Sequence, residues 1–211
     1  PPAFASETHA RASAIYHALA MFYGEPIFSP GSDPMIELIG TILSANTNDI
    51  NSGRACDALL AEINRNGKPE WSLVGELGLP RLKEIIRVAG MYNQKAPAIV
   101  ATLAKVHEVR GEYNLDFLAS APVDEAMAFL TSLPGVGHKT ASIVLLFCFN
   151  RDAFPVDTHI QRITQRLGLA TRKATPEKIK GVWENLLPPE TFYPLHLNLI
   201  RLGREICTAR V

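Results

Sequence analysis

Apolar residues recur at helical spacing along almost the whole chain, and no stretch alternates apolar with polar as a half-buried strand does. Thr8 to Tyr23 is periodic and stops at Gly24. Asp33-Pro34 supplies an N-cap followed by proline at the first helical position, after which Ile36, Ile39 and Leu43 share a face. Leu82, Ile85, Ile86 and Ala89 form another stripe that Gly90 closes, and Ile99, Leu103 and Val106 mark a helix after Pro97. Thr175-Pro176-Glu177 repeats the cap signature ahead of Ile179, Val182 and Leu186, and Leu195, Leu199, Leu202 and Ile206 form a long final stripe. Periodicity leaves one segment open between buried strand and buried helix, SIVLLFCF at 142–149. With nothing nearby to pair with it, it reads as a core helix, and the expected fold class is all-α.

At 211 residues, 47% hydrophobic and 20% charged, the chain can bury one substantial core or two modest ones. No apolar run approaches the roughly 20 residues that span a bilayer, so no membrane role is expected. The N-terminal PPAFASETHARAS lacks the basic start and apolar block of a secretory signal. Cys56, Cys148 and Cys207 are odd in number and far apart, which argues against a disulfide framework. The expected setting is reducing and intracellular, in the cytoplasm or nucleoid. Formal net charge is zero, yet residues 1–80 hold 4 Lys+Arg against 9 Asp+Glu, 81–150 hold 7 against 6, and 151–211 hold 10 against 6. That gradient permits a basic face on a neutral protein, although ordinary variation among solvated surfaces gives the same numbers.

The segment LPGVGHKTA, Leu133 to Ala141, places Pro134-Gly135-Val136-Gly137 between two helices, a link too short for anything but a sharp reversal. Glycine allows positive φ and leaves no Cβ between backbone and ligand. A reversal that opens a helix aims unpaired N–H groups outward, and these with the helix dipole favour an anion such as a DNA phosphate. Taken alone, PGVG is equally a plain turn of an αα-hairpin. Lys139 reads as a solvated lysine on a first turn, or as an amine nucleophile if partly desolvated near that helix N-terminus. In AFPVDTHIQRI, Asp157 precedes Ile160, Ile163 and Leu167 and so reads as an N-cap. A carboxylate anchored by backbone N–H groups can also stabilise a cation forming nearby.

Together these segments resemble the endonuclease III branch of the helix-hairpin-helix (HhH-GPD) DNA glycosylases. LPGVGHKTA is similar to that family's hairpin with its lysine, and PVDTHIQRI to its aspartate segment at the family spacing. ILSANTND and MYNQKA resemble two further family segments in the right order, and the markers run from about Ile42 to Cys207. The resemblance implies two helical domains with a DNA groove between them: a six-helix barrel over residues 27–151, and a second domain of residues 1–26 and 152–211. It implies a monomer acting on double-stranded DNA that carries damaged bases or abasic sites, and excision of an oxidised or ring-saturated pyrimidine flipped from the duplex. Lys139 would attack the sugar C1′, expel the base and form a Schiff base, and β-elimination would then nick the strand. Asp157 would support the developing positive charge and help deprotonate the lysine. Leu133, Gly135, Val136, Gly137, His138 and Thr140 would form the DNA-binding hairpin.

Where the family commonly has glutamine in its SAQ segment, a residue that fills the gap left by the flipped base, this chain has Asn46, a shorter wedge. Met91 matches the position that probes the opposite strand. Packing roles remain open for both, and Asp49 matches a polar pocket position. Family members usually end with four cysteines on a [4Fe–4S] cluster, and Cys207 falls where the first would stand. The next would lie at about position 214, so the resemblance implies the cluster only for a chain that continues past Val211. Two rival readings remain: a helix-hairpin-helix module that binds DNA without chemistry, and a monofunctional mismatch glycosylase. The first leaves Lys139 with Asp157 unexplained. Against the second stands the lysine, which the related adenine glycosylases of mispaired DNA lack.

Overall fold

The computed structural model describes residues 3–29 and 33–209. It is all-α: among the described residues, strand is confined to the two-residue pair Asn64–Arg65 and Lys68–Pro69. The chain divides into two compact units, Ser32–Ala141 and the pairing of Pro1–Gly31 with Ser142–Val211.

The Ser32–Ala141 unit holds α2 (Pro34–Ser44), α3 (Asp49–Glu62), α4 (Leu73–Ile85), α5 (Tyr92–Arg110), α6 (Val123–Ser132) and the first residues of α7 (His138–Phe149). Asp33 caps α2 as expected, its carboxylate accepting from the N–H groups of Met35 at 2.8 Å and Ile36 at 3.3 Å. The buried face of α2 is wider than the Ile36-Ile39-Leu43 stripe. Met35, Leu38, Ile39, Ile42 and Leu43 are all buried, because the helix packs against both α3 and α5.

Three features depart from the sequence pattern. First, α5 begins at Tyr92, five residues before Pro97, so Pro97 lies inside the helix with no N–H to give to Asn93. The start is set upstream, by Gly90 (φ 64°) and Met91 (φ 46°, ψ 26°). Second, Gly78 (φ 71°) interrupts α4. Third, the short hairpin turns at Asn66-Gly67, both at positive φ (55° and 84°), with Arg65 opposite Lys68. Asn-Gly is the residue pair such a two-residue turn prefers, and its flanks are too short and polar to alternate.

The other unit holds α1 (Ala3–Tyr23), the rest of α7, α8 (Thr158–Arg166), α9 (Pro176–Leu186) and α10 (Phe192–Glu205). SIVLLFCF is helical, as its reading required. The core gathers Ala12, Tyr16, Leu146, Phe154, Ile160, Ile163, Trp183, Phe192, Leu195 and Leu199. Trp183 is fully buried, and its indole N–H donates at 2.9 Å to Thr164 Oγ1, which itself donates to the Ile160 carbonyl at 2.7 Å. That chain of bonds satisfies polar atoms that would otherwise be stranded in the core. The last stripe ends early: Ile206 lies beyond α10 and is 61% exposed.

Candidate nucleic-acid interface and active site

The turn between α6 and α7 is fixed by two residues. Pro134 and Gly135 occupy its central positions, and the Val136 N–H donates to the Leu133 carbonyl at 3.1 Å. Gly135 has φ 78°, which a type II turn demands at its third position. A Cβ built on Gly135 would also stand 2.9 Å from Cβ of Ala98 on α5. Thr102, one turn further along α5, donates from Oγ1 to the Pro134 carbonyl at 2.6 Å. The turn is therefore seated on α5 through residues 98 and 102.

Gly137 differs from Gly135. It is not among the positive-φ residues, and a Cβ placed on it would meet nothing within 4 Å. Its carbonyl accepts from Ala141 N–H at 3.0 Å, so it is the cap of α7, and the N–H groups of His138, Lys139 and Thr140 come before the first intrahelical donor. These donors lie on a stretch with exposed side chains: Gly137, His138 and Lys139 are exposed and Thr140 is half-buried. Leu133 and Val136 are buried, at 2% and 6% exposure, so their side chains anchor the turn and only their backbone can face a ligand. The partial desolvation entertained for Lys139 is absent from the free chain, where the side chain is exposed until something covers it.

Asn46 and Met91 occupy the αL region, at φ 53° and 46°, and both are exposed. Asparagine tolerates that conformation because its short amide can bond locally; a methionine there is rarer and costs on the order of 1–2 kcal/mol. Strain held at an exposed apolar side chain is the kind of outlier that marks a site. Asp49 is the first residue of α3, exposed, with Asn48 as the side-chain cap at 2.8 Å from the Asn51 N–H.

Sequence reasoning passed over Lys95. It is 5% exposed, and its Nζ donates to the Leu43 carbonyl at 2.7 Å and the Ala89 carbonyl at 2.8 Å. Burial holds its ammonium below the ordinary lysine range. Engaged by two carbonyls and shut from solvent, it cannot reach a sugar, so the most perturbed lysine is not the candidate nucleophile. A signal did exist: Lys95 sits one turn before Ile99 on the buried stripe, where a charge needs partners.

In the other unit, Asp157 is half-buried and caps α8, its Oδ1 accepting from Ile160 N–H at 2.8 Å. The segment leading into it is held at two points. Phe154 N–H donates to Glu184 Oε1 at 2.8 Å, with Lys180 paired to the same carboxylate at 2.6 Å, and buried His196 donates from Nδ1 to the Pro155 carbonyl at 3.1 Å. Cys207 accepts from Arg166 at 3.2 Å, and its carbonyl receives Arg162 at 2.7 and 2.9 Å. Among the described residues no group of three or more His, Cys, Asp or Glu is arranged to hold a metal ion. A four-iron cluster takes four thiolates, so one cysteine does not fit it.

Residues 39–189 match the family model of the HhH-GPD superfamily base excision DNA repair protein. Endonuclease III of Thermotoga maritima is 35% identical over 182 residues, covering 83% of this chain and 76% of the relative. Endonuclease III of Rickettsia conorii is 37% identical over 173 residues, covering 82% and 75%. The structure of a trapped endonuclease III–DNA covalent intermediate superimposes with a TM-score of 0.80 at 27% identity, covering 96% of this chain and 89% of that one. A family match over most of the chain, with relatives above 30% identity and a structural likeness covering 96% of the chain, has one consequence: the chain belongs to the HhH-GPD superfamily of base excision repair proteins and is a DNA glycosylase.

Proposed function

We propose that the protein is a bifunctional glycosylase and abasic-site lyase that removes oxidised or ring-saturated pyrimidines from double-stranded DNA, with Lys139 as nucleophile and Asp157 as its charged partner. The observation that carries this reading is the start of α7. Gly137 opens onto free space, N–H groups that precede the first intrahelical donor follow it, and an exposed amine stands two residues on. Phosphate bound by those donors would fix the backbone beside Lys139 without reading sequence. Two relatives carry the name endonuclease III, and one neighbour was solved as a covalent intermediate with DNA, which supports chemistry through an enzyme-bound sugar.

In the proposed reaction the neutral Nζ of Lys139 attacks C1′ of the flipped nucleotide as the base departs with the glycosidic electron pair. Loss of a proton and ring opening give an imine, and abstraction of a C2′ proton expels the 3′ phosphate by β-elimination. Asp157, kept in place by the Ile160 N–H, the Glu184 contact at Phe154 and the His196 contact at Pro155, supplies a fixed negative charge to the cationic sugar. Asn46 fills the space of the extruded base and Met91 meets the opposite strand, while Asp49 borders the pocket. A [4Fe–4S] cluster with Cys207 as first ligand is proposed only for a chain carrying three further thiolates after Val211; bound, it would contribute structure around the end of α10.

The test is a gel assay on duplexes carrying thymine glycol, dihydrouracil, uracil or an abasic site. The proposal expects base loss coupled to strand cleavage at the two saturated pyrimidines, and cleavage at the abasic site. Base loss with strands left intact until alkali is added would make the enzyme monofunctional.

A further inference from the structure

We infer that Lys95 is a positioning residue that locks the Asn46 turn and the Met91 turn into one rigid pair, so that both side chains enter DNA together. The inference rests on the reading of Asn46 and Met91 as the inserted pair. Leu43, whose carbonyl Lys95 holds at 2.7 Å, is three residues before Asn46 at the end of α2, and Ala89, held at 2.8 Å, is two residues before Met91. Both carbonyls belong to helix C-terminal ends, α2 and the 3-10 turn Arg87–Ala89, where carbonyls lack intrahelical partners and the dipole favours a cation. A hydrophobic residue of similar length would leave two buried carbonyls unpaired, which explains an ammonium in an otherwise apolar stripe.

Helix α5 then acts as the common spine. Residues 95, 98 and 102 are spaced i, i+3 and i+7, one face of a helix. From that face Lys95 holds the two insertion turns, while Ala98 and Thr102 seat the α6–α7 hairpin. The αL backbone of Met91 needs such an anchor, since methionine rarely adopts it, and the same ammonium ties that turn to the one at Asn46.

The experiment compares excision of dihydrouracil with cleavage at a preformed abasic site, in single turnover, for wild type and Lys95→Met. Each is measured alone and in an Asn46→Gly/Met91→Gly background, where glycine accepts the αL backbone without strain. The expected result is a fall of about tenfold in excision with abasic cleavage within about twofold, because only excision needs a base extruded and misplaced insertion residues are costly. In the double-glycine background Lys95→Met should change excision by less than about twofold, since the residues it acts through are gone. A duplex with 2-aminopurine opposite a tetrahydrofuran site reports insertion directly: wild type should raise its fluorescence on binding and Lys95→Met should not. Equal slowing of both reactions, the same factor in both backgrounds, or an unchanged fluorescence rise would each overturn the inference. If Lys95→Met fails to fold, Lys95→Gln, which keeps N–H donors on a shorter stem, is put through the same comparisons. A wild type that neither excises dihydrouracil nor raises the fluorescence would instead refute the parent reading of the site.

Discussion

Thr102 Oγ1 donates to the carbonyl of Pro134 at 2.6 Å, tying the middle of α5 to the turn that opens α7. The bond removes an otherwise stranded carbonyl and fixes the turn relative to a rigid helix. Thr102 is fully buried, so Thr102→Val keeps the shape and deletes only the donor. The expected cost is about 1–3 kcal/mol in denaturant unfolding, the penalty for an unsatisfied buried carbonyl. No loss would mean that water reaches Pro134.

The two hairpin glycines should separate cleanly. Gly135→Ala meets Ala98 at 2.9 Å and adopts φ 78°, and should lose about 2–4 kcal/mol of stability. Gly137→Asp puts a favoured capping residue at the start of α7 and should leave stability unchanged or slightly raised. Its carboxylate takes the same N–H groups offered to phosphate, so affinity for damaged and undamaged duplex should fall about tenfold or more. Unchanged affinity in a low-salt titration would remove the hairpin from the DNA interface.

Much of this was legible in the sequence, for physical reasons. Asp33, Thr175 and Asp157 cap the helices that their positions forecast, because a cap is a local event that depends on one side chain and the next three N–H groups. The helical state of 142–149 followed from the lack of any pairing strand. Start points set by backbone alone leave no such mark: the αL residue Met91 carries no turn signature, so the residue pattern puts the start of α5 near Pro97 while the helix begins at Tyr92. Lys95 escaped because its partners are carbonyls, one of them 52 residues away in sequence, and carbonyls leave no mark in a residue pattern. Gly135 and Gly137 look alike in the sequence and differ in backbone conformation and in Ala98, a tertiary neighbour of Gly135 alone.

Asn46→Gly should slow base excision more than it slows cleavage at a preformed abasic site, since an abasic nucleotide has no base to extrude. Glycine keeps the backbone at φ 53° without strain, so the change isolates the side chain. Equal slowing of both reactions would assign Asn46 to packing.

Alkaline stability has an identifiable contributor in Tyr16. Its hydroxyl donates to Glu25, and burial first, then that carboxylate, push the phenol well above the usual tyrosine range. The folded state thus keeps a proton that the unfolded chain releases above about pH 10. Stability from this group is complete below that pH and declines as pH rises further. Tyr16→Phe should lower stability by about 1 kcal/mol near neutrality and flatten the alkaline decline. An identical decline in wild type and variant would place the sensitivity elsewhere.

The central claim is that Lys139 forms an imine with the damaged sugar while Asp157 accelerates that step. Borohydride reduction during turnover on a thymine glycol duplex measures it most directly. Wild type should cross-link to the DNA, and Lys139→Gln should give no cross-link while still binding. Asp157→Asn retains much of the helix cap but loses the charge, so it should cross-link slowly. A strong cross-link from Lys139→Gln would contradict the account by showing that another amine is the nucleophile, and full-rate cross-linking by Asp157→Asn would reduce Asp157 to a helix cap.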